Sequence, residues 1–221
     1  IPHVFGAALP VTGWGMTETN AIGAGIRGRD YLDHPGSVGQ AAAVLDLRVV
    51  NDAGDPRAPG ELQVRGASVM RGYWRRPDAD AEAFDGEWLR TGDVARIDAD
   101  GYVWILDRIK DLIIRGGENI ACATVEAALL EHPAIVETAV FAVPDPRLGE
   151  TVGATIVARE AVCVRELAAF LEGRLARFQM PEHLWVHDGP LPRTASGKIF
   201  KHGVRDAVLQ ADPAYRRLNR A

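Results

Sequence analysis

Only two cysteines, Cys122 and Cys163, occur in 221 residues, too few for a disulfide framework and not spaced like metal ligands. They leave a reducing, cytoplasmic setting as the expectation. No apolar run reaches the ~18 residues of a membrane-spanning helix, and no signal-peptide pattern is present. Basic charge is not in excess: 25 Lys and Arg stand against 30 Asp and Glu, a net charge of -5 that argues against a general nucleic-acid binder. The balance reverses near the end, where seven Lys and Arg from Arg193 onward face two Asp. A basic end on an acidic body suits a phosphate contact, and equally a solvated tail. Internal repeats, low-complexity segments and a Gly-x-x-x-x-Gly-Lys phosphate loop are absent too. What remains is a chain of 47% hydrophobic residues, ample for one or two packed cores. It opens on Ile1 rather than Met, which reads as a piece of a longer protein.

Turn residues divide the first half into short strands. Apolar stretches at 47–50 and 61–69 flank Asn51-Asp52-Ala53-Gly54, and those at 94–97 and 102–106 flank Asp100-Gly101, a strong hairpin signal. Residues 71–85 read as loop plus a helical turn, and a small twisted sheet or barrel follows. The second half alternates. A strand at 112–114, a helix at 124–131 stopped by Pro133, and period-two strands at 135–143 and 151–157 are expected. A helix over 164–178 then places Leu167, Phe170, Leu171, Leu175 and Phe178 on one face. A strand at 183–186 and a helix beginning near Lys201 complete an α+β unit. The junction falls in the charged stretch Asp107-Arg108-Ile109-Lys110-Asp111.

Four segments carry side chains suited to chemistry. In Gly13-Trp14-Gly15-Met16-Thr17-Glu18-Thr19-Asn20, glycines let the backbone approach a ligand, Trp14 offers a stacking face, Thr17 a hydroxyl for phosphate and Glu18 a hard oxygen for Mg2+. The same residues suit a turn around a buried Trp. In Trp88-Leu89-Arg90-Thr91-Gly92-Asp93, an acid after Thr-Gly at a strand start can accept from both ribose hydroxyls, or cap its own turn. Arg108 can bridge ribose and phosphate through its planar fork, or pair with a surface acid. Arg115-Gly116-Gly117-Glu118-Asn119-Ile120 is either a tight turn before a helix or a bare-backbone passage for a thin substituent. Arg193-Thr194-Ala195-Ser196-Gly197-Lys198 presents a lysine from a flexible loop, a mobile charge able to stabilise a phosphorus under attack, or a surface Gly-Lys pair.

In order and spacing, GWGMTETN, GELQVRG, GYWRRP, WLRTGD, GYVWILDRIKDLIIRGGENI, HPAIVETAVFAVPD, LGE and PRTASGKI together resemble the adenylate-forming superfamily. That superfamily spans acyl-CoA synthetases, peptide-synthetase adenylation domains and firefly-type luciferases. RGGENI looks like the acyl- and aryl-CoA ligase branch, with fatty-acid and coumarate-type ligases nearest in flavour. The resemblance implies an α+β fold. Residues 1–109 would be the end of a large ATP-binding domain with its small β-barrel, and 110–221 a mobile C-terminal lid. It implies two steps: a carboxylic acid and MgATP give an acyl-adenylate and pyrophosphate, and CoA then displaces AMP. By similarity, Gly13, Trp14, Gly15, Met16 and Thr17 line the ATP/AMP site, with Trp14 on adenine and Thr17 on phosphate. Glu18 would bind Mg2+, Asp93 and Arg108 the ribose, and Lys198 would serve adenylation. Lys110 would be the hinge, and Gly116, Gly117 and Glu118 would line the CoA tunnel. Trp14 departs from the more usual Tyr.

GYWRRP, HPAIVE and Leu148-Gly149-Glu150 read as packing and turn elements, and Glu61 and Glu126 as local salt-bridge or capping groups. The family's Ser/Thr/Gly-rich phosphate loop does not occur in these residues. The 221 residues alone are therefore expected to be inactive in ATP–pyrophosphate exchange. Two rival readings are an adenylation domain that loads a carrier protein and a non-catalytic module that keeps the fold.

Overall fold

The structure is a computed structural model that describes residues 9–195, 197–211 and 216–217. Residues 1–8, Ser196 of the lysine loop, and Asp212 and Arg220 of the basic end lie outside the described residues. The chain divides into two compact units, Ile1–Ile109 and Lys110–Ala221.

In the first unit, β1 (Val11–Trp14) pairs antiparallel with β2 (Ala24–Arg27) across the loop that holds Glu18. After α1 (Gly28–Asp33), β3 (Gln40–Ala41) adds to the far side of β2. A second, antiparallel sheet contains β4 (Leu45–Val50), β5 (Gly60–Gly66), β6 (Phe84–Asp85), β7 (Trp88–Ile97) and β8 (Val103–Arg108). Its central strand β7 carries β5, β6 and β8 as neighbours. Between β5 and β6, α2 (Pro77–Ala83) starts on proline, whose missing N–H is no loss at a helix N-terminus, and its first turn carries Asp78 and Asp80. Leu62, Val64, Leu89, Ala95 and Val103 form the buried face.

Strand β7 runs longer than expected, and its register is broken where it matters. Gln63 faces Arg90 while Glu61 faces Val94, so Thr91, Gly92 and Asp93 together oppose Leu62. Gly92 makes the bulge possible at φ +70°. Asp93 thus sits in a mid-strand bulge rather than at a strand start.

The second unit has β9 (Ile113–Arg115), β10 (Glu118–Ile120), α3 (Cys122–Leu130), β11 (Ile135–Asp145), β12 (Gly149–Ala158), α4 (Val164–Leu171), β13 (His183–Val186), α5 (Lys201–Ala211) and β14 (Arg216–Arg217). Strand β12 pairs antiparallel with β11 along its whole length, antiparallel with β9 at Gly149, and parallel with β13. Helices α3 and α4 bury Val125, Leu129, Leu167 and Leu171 against Val140, Val152, Ile156 and Leu184. The helix expected over 164–178 stops at Leu171, and Gly173 then turns the chain at φ +83°. Leu175 still reaches the same core from the turn that follows, and Phe178 from the short 3-10 helix Arg177–Gln179. Cys122 is buried and Cys163 exposed, with no disulfide between them. Among the described residues no helix is long and apolar enough to cross a membrane.

Candidate active site

The bulge in β7 gathers three of the expected site residues. Thr91 Oγ1 donates to Leu62 O at 2.7 Å and accepts the Asp93 N–H at 3.0 Å, satisfying backbone groups that the broken ladder frees. Asp93, 7% exposed, then uses both carboxylate oxygens. Trp14 Nε1 donates to Oδ2 at 2.8 Å and Arg108 Nε pairs with Oδ1 at 2.8 Å. Arg108 also donates from Nη2 to Thr91 O at 3.2 Å, which ties β8 to the bulge. Each oxygen keeps a further lone pair, so the carboxylate can still receive ligand hydroxyls. Trp14 is half-buried against the core of the second sheet, and Gly23 lies beneath it: a Cβ there would sit 2.6 Å from Trp14 Cε3.

The loop after Trp14 is fixed by a residue that the sequence reading passed over. Thr19 is fully buried, and its hydroxyl donates to Met16 O at 3.0 Å and accepts the Met16 N–H at 3.2 Å. Thr17 and Glu18 ride on the resulting short 3-10 turn, Thr17–Thr19. Thr17 is exposed, whereas Glu18 is half-buried and accepts from Tyr73 Oη at 3.0 Å on Oε1.

In the second unit Lys198 is exposed, but its loop is held rather than loose. Arg193 bridges to Ile199, and the Thr194 N–H donates to Lys198 O at 2.8 Å. Arg193 donates to Gly197 O at 2.8 Å and pairs with Glu137 Oε1 at 2.6 Å, while the Leu191 N–H donates to Glu137 Oε2 at 2.8 Å. The Leu191 amide first, and then Arg193, hold the Glu137 carboxyl below its ordinary value. The described residues on either side of Ser196 are thus tied to one another and to Glu137.

Gly116 and Gly117 form the two-residue turn of the β9–β10 hairpin, at φ +59° and +93°, with Arg115 opposite Glu118. Both positive angles belong to the hairpin turn for which glycine is the default residue. The tight turn expected before a helix is therefore the turn of a hairpin, and α3 begins only at Cys122. The hairpin is anchored to the start of β12: the Gly116 N–H donates to Leu148 O at 2.9 Å and the Ile114 N–H to Glu150 Oε2 at 2.7 Å. Glu118 is exposed, and so is Lys110, on the 3-10 turn Ile109–Asp111. Glu126 pairs with Lys201 Nζ at 2.8 Å and accepts the Val140 N–H at 2.9 Å, as a local salt-bridge group.

The three motifs set aside as packing each hold a candidate loop: Tyr73 of GYWRRP, Glu137 of HPAIVE, and Leu148 with Glu150 of LGE. No local sequence signal points to these anchors, because their partners lie tens of residues away.

Residues 3–74 match the AMP-binding enzyme family and residues 124–198 the AMP-binding enzyme C-terminal domain, together more than half of the chain. A 2-succinylbenzoate–CoA ligase of Bacillus velezensis is 41% identical over 87% of this chain and 40% of its own length. A feruloyl-CoA synthase of an Amycolatopsis species is 43% identical over 88% of this chain and 40% of its own. Among solved structures, the o-succinylbenzoate CoA synthetase of Bacillus subtilis with its acyl-adenylate intermediate superposes with a TM-score of 0.84 at 35% identity, over 90% of this chain and 41% of that one. The same enzyme with ATP and magnesium ion gives 0.82 at 35% identity, over 89% and 41%. The chain spans about 40% of the length of the relatives it matches.

Proposed function

From the premise that this chain belongs to the adenylate-forming AMP-binding enzymes, in their CoA-ligase branch, we propose that it forms part of an AMP-forming acid–CoA ligase. The protein would join a small carboxylic acid, fatty-acyl or aryl, to ATP as an acyl-adenylate, and then pass the acyl group to CoA. One observation carries the reading: a buried Asp93 in a strand bulge, oriented by Trp14 and Arg108 beside a half-buried indole face. Such a site accepts ribose hydroxyls on the carboxylate and an adenine on the ring.

Glu18 suits Mg2+ that arrives with the nucleotide. It is a single carboxylate next in sequence to Thr17, and no cluster of three His, Cys, Asp or Glu exists among the described residues. Mg2+ is commonly held by one or two carboxylates with phosphate oxygens completing the shell. When bound, it would neutralise charge on the phosphates. Glu18 would hold it, Thr17 would donate to phosphate, and Lys198 would place its ammonium where negative charge develops as pyrophosphate leaves.

Lys198 must then vacate for a thiol. Its loop is anchored at Glu137, near the start of β11, whereas the Gly116–Gly117 turn is anchored at Leu148 and Glu150, beside the end of β11. Pro144, the partner of Glu150, lies seven positions along β11 from Glu137, which is roughly 23 Å at ~3.3 Å per residue. Two loops anchored so far apart on one unit would serve one reacting centre in turn, which supports a rotation of the unit about Lys110 between the two steps.

The test is Lys198→Ala in the full-length protein. Acid-dependent ATP–pyrophosphate exchange is expected to fall ~10²-fold or more, with transfer to CoA from supplied acyl-adenylate unchanged. Absence of acid-dependent exchange in the unmodified protein would overturn the ligase reading, and equal loss in both steps would overturn the role of Lys198.

A further inference from the structure

Residues 68–73 run beside the Glu18 loop and grip it three times. Asn20 Nδ2 donates to Ser68 O at 2.9 Å, the Met70 N–H donates to Glu18 O at 2.7 Å, and Tyr73 Oη donates to Glu18 Oε1 at 3.0 Å. Glu18 is therefore held at its backbone and at its carboxylate by one short segment. The phenol makes the only hydrogen bond to that carboxylate among the described residues.

Tyr73 is itself fixed. Its N–H donates to Asp80 Oδ1 at 2.7 Å, and its carbonyl accepts the Arg76 N–H at 3.1 Å. Asp80 stands on α2, and its carboxylate lies so close to Gly72 that a Cβ there would meet it at 2.7 Å. Gly72 takes φ +151°, so a side chain at that position would be excluded twice over. The chain of support runs from α2 through Asp80 to the Tyr73 backbone, and from the phenol to Glu18.

A bond of this kind adds little to folding stability, because Tyr73 is 38% exposed and water competes for both partners. What it supplies is direction: a glutamate on a short turn has three side-chain torsions, and the phenol selects one arrangement of its carboxylate. We propose that Tyr73 is a positioning residue for Glu18, holding Oε1 so that the carboxylate is preset for the cation that accompanies the nucleotide. The inference rests on the reading of Glu18 as the metal-holding group.

The experiment uses the full-length protein saturated with α,β-methylene-ATP, and reads Mn2+ binding by electron paramagnetic resonance beside steady-state kinetics. Tyr73→Phe is expected to weaken Mn2+ binding ~10-fold and to raise the Mg2+ concentration for half-maximal exchange by a similar factor, leaving KM for the acid unchanged. Glu18→Gln is expected to lose Mn2+ binding by a larger factor. Loss in Glu18→Gln with none in Tyr73→Phe would overturn the positioning role alone. Unchanged binding in both variants would overturn the assignment of Glu18, and the inference with it. A Tyr73→Phe protein whose acid KM worsens as much as its Mn2+ affinity would show a merely structural residue.

Discussion

A tryptophan at the proposed adenine-stacking position brings more than a larger face. Its indole N–H lies 2.8 Å from Asp93 Oδ2, so the ring that would carry adenine also orients the acid that would carry ribose. Trp14→Phe keeps a ring and deletes the donor, leaving a carboxylate that is 7% exposed with one fewer partner. Removing a hydrogen bond to a charged group of this burial is expected to destabilise the first unit by roughly 1.5–3 kcal/mol, measurable by urea unfolding. The variant should also discriminate less well between ATP and 2′-deoxy-ATP, by about tenfold in kcat/KM, because Asp93 is no longer aimed. An unchanged preference would place ribose recognition elsewhere. The side chains suited to chemistry were visible in the sequence because their types and spacing are local. The anchors were not, since Tyr73 meets Glu18 across 55 positions and Arg193 meets Glu137 across 56.

At the scale of elements, turns and strands were legible where glycine or alternation marks them, and obscure where irregularity lies inside an element. The hairpin at Asp100-Gly101 lies where its turn residues put it, and β12 (Gly149–Ala158) covers the period-two stretch at 151–157. The bulge in β7 carries no such sign, since Thr-Gly-Asp reads as readily as a strand start. Likewise the apolar spacing of 164–178 reads as one helix, although Gly173 ends the regular part and only the buried face continues. The glycine hairpin allows a sharper prediction. Gly116 and Gly117 both need positive φ, but a Cβ on Gly116 would meet Leu148 Cδ2 at 3.2 Å, while one on Gly117 would meet nothing. Each alanine is expected to cost about 1–2 kcal/mol from the left-handed backbone alone, with Gly116→Ala the worse of the two. Gly117→Asn should recover much of the loss, because asparagine tolerates that region. Urea midpoints ranked in any other order would show that the turn is not under this constraint.

At the scale of the whole molecule, the second unit carries two candidate loops held at opposite ends of one strand pair by two glutamates. These glutamates give separable handles. Glu137 has its carboxyl held below the ordinary value, so its contribution is complete above the unfolded value near 4.3 and is lost as pH falls through the lower folded one. Arg193 is 44% exposed on its side chain, so solvent screening keeps that contribution small, and it is better read through function than through melting. Glu137→Gln keeps the shape but loses the charge that holds Arg193, so the Lys198 turn loosens. Glu150→Gln loosens the support of the Gly116–Gly117 hairpin in the same way through Ile114. If one unit presents its two ends in turn, the variants must divide the reaction between them. Glu137→Gln should lower ATP–pyrophosphate exchange about tenfold and spare transfer to CoA from supplied acyl-adenylate, and Glu150→Gln should do the reverse. A pair of variants that slowed both steps alike would mean that the two ends do not act separately, and the rotation about Lys110 would lose its physical ground.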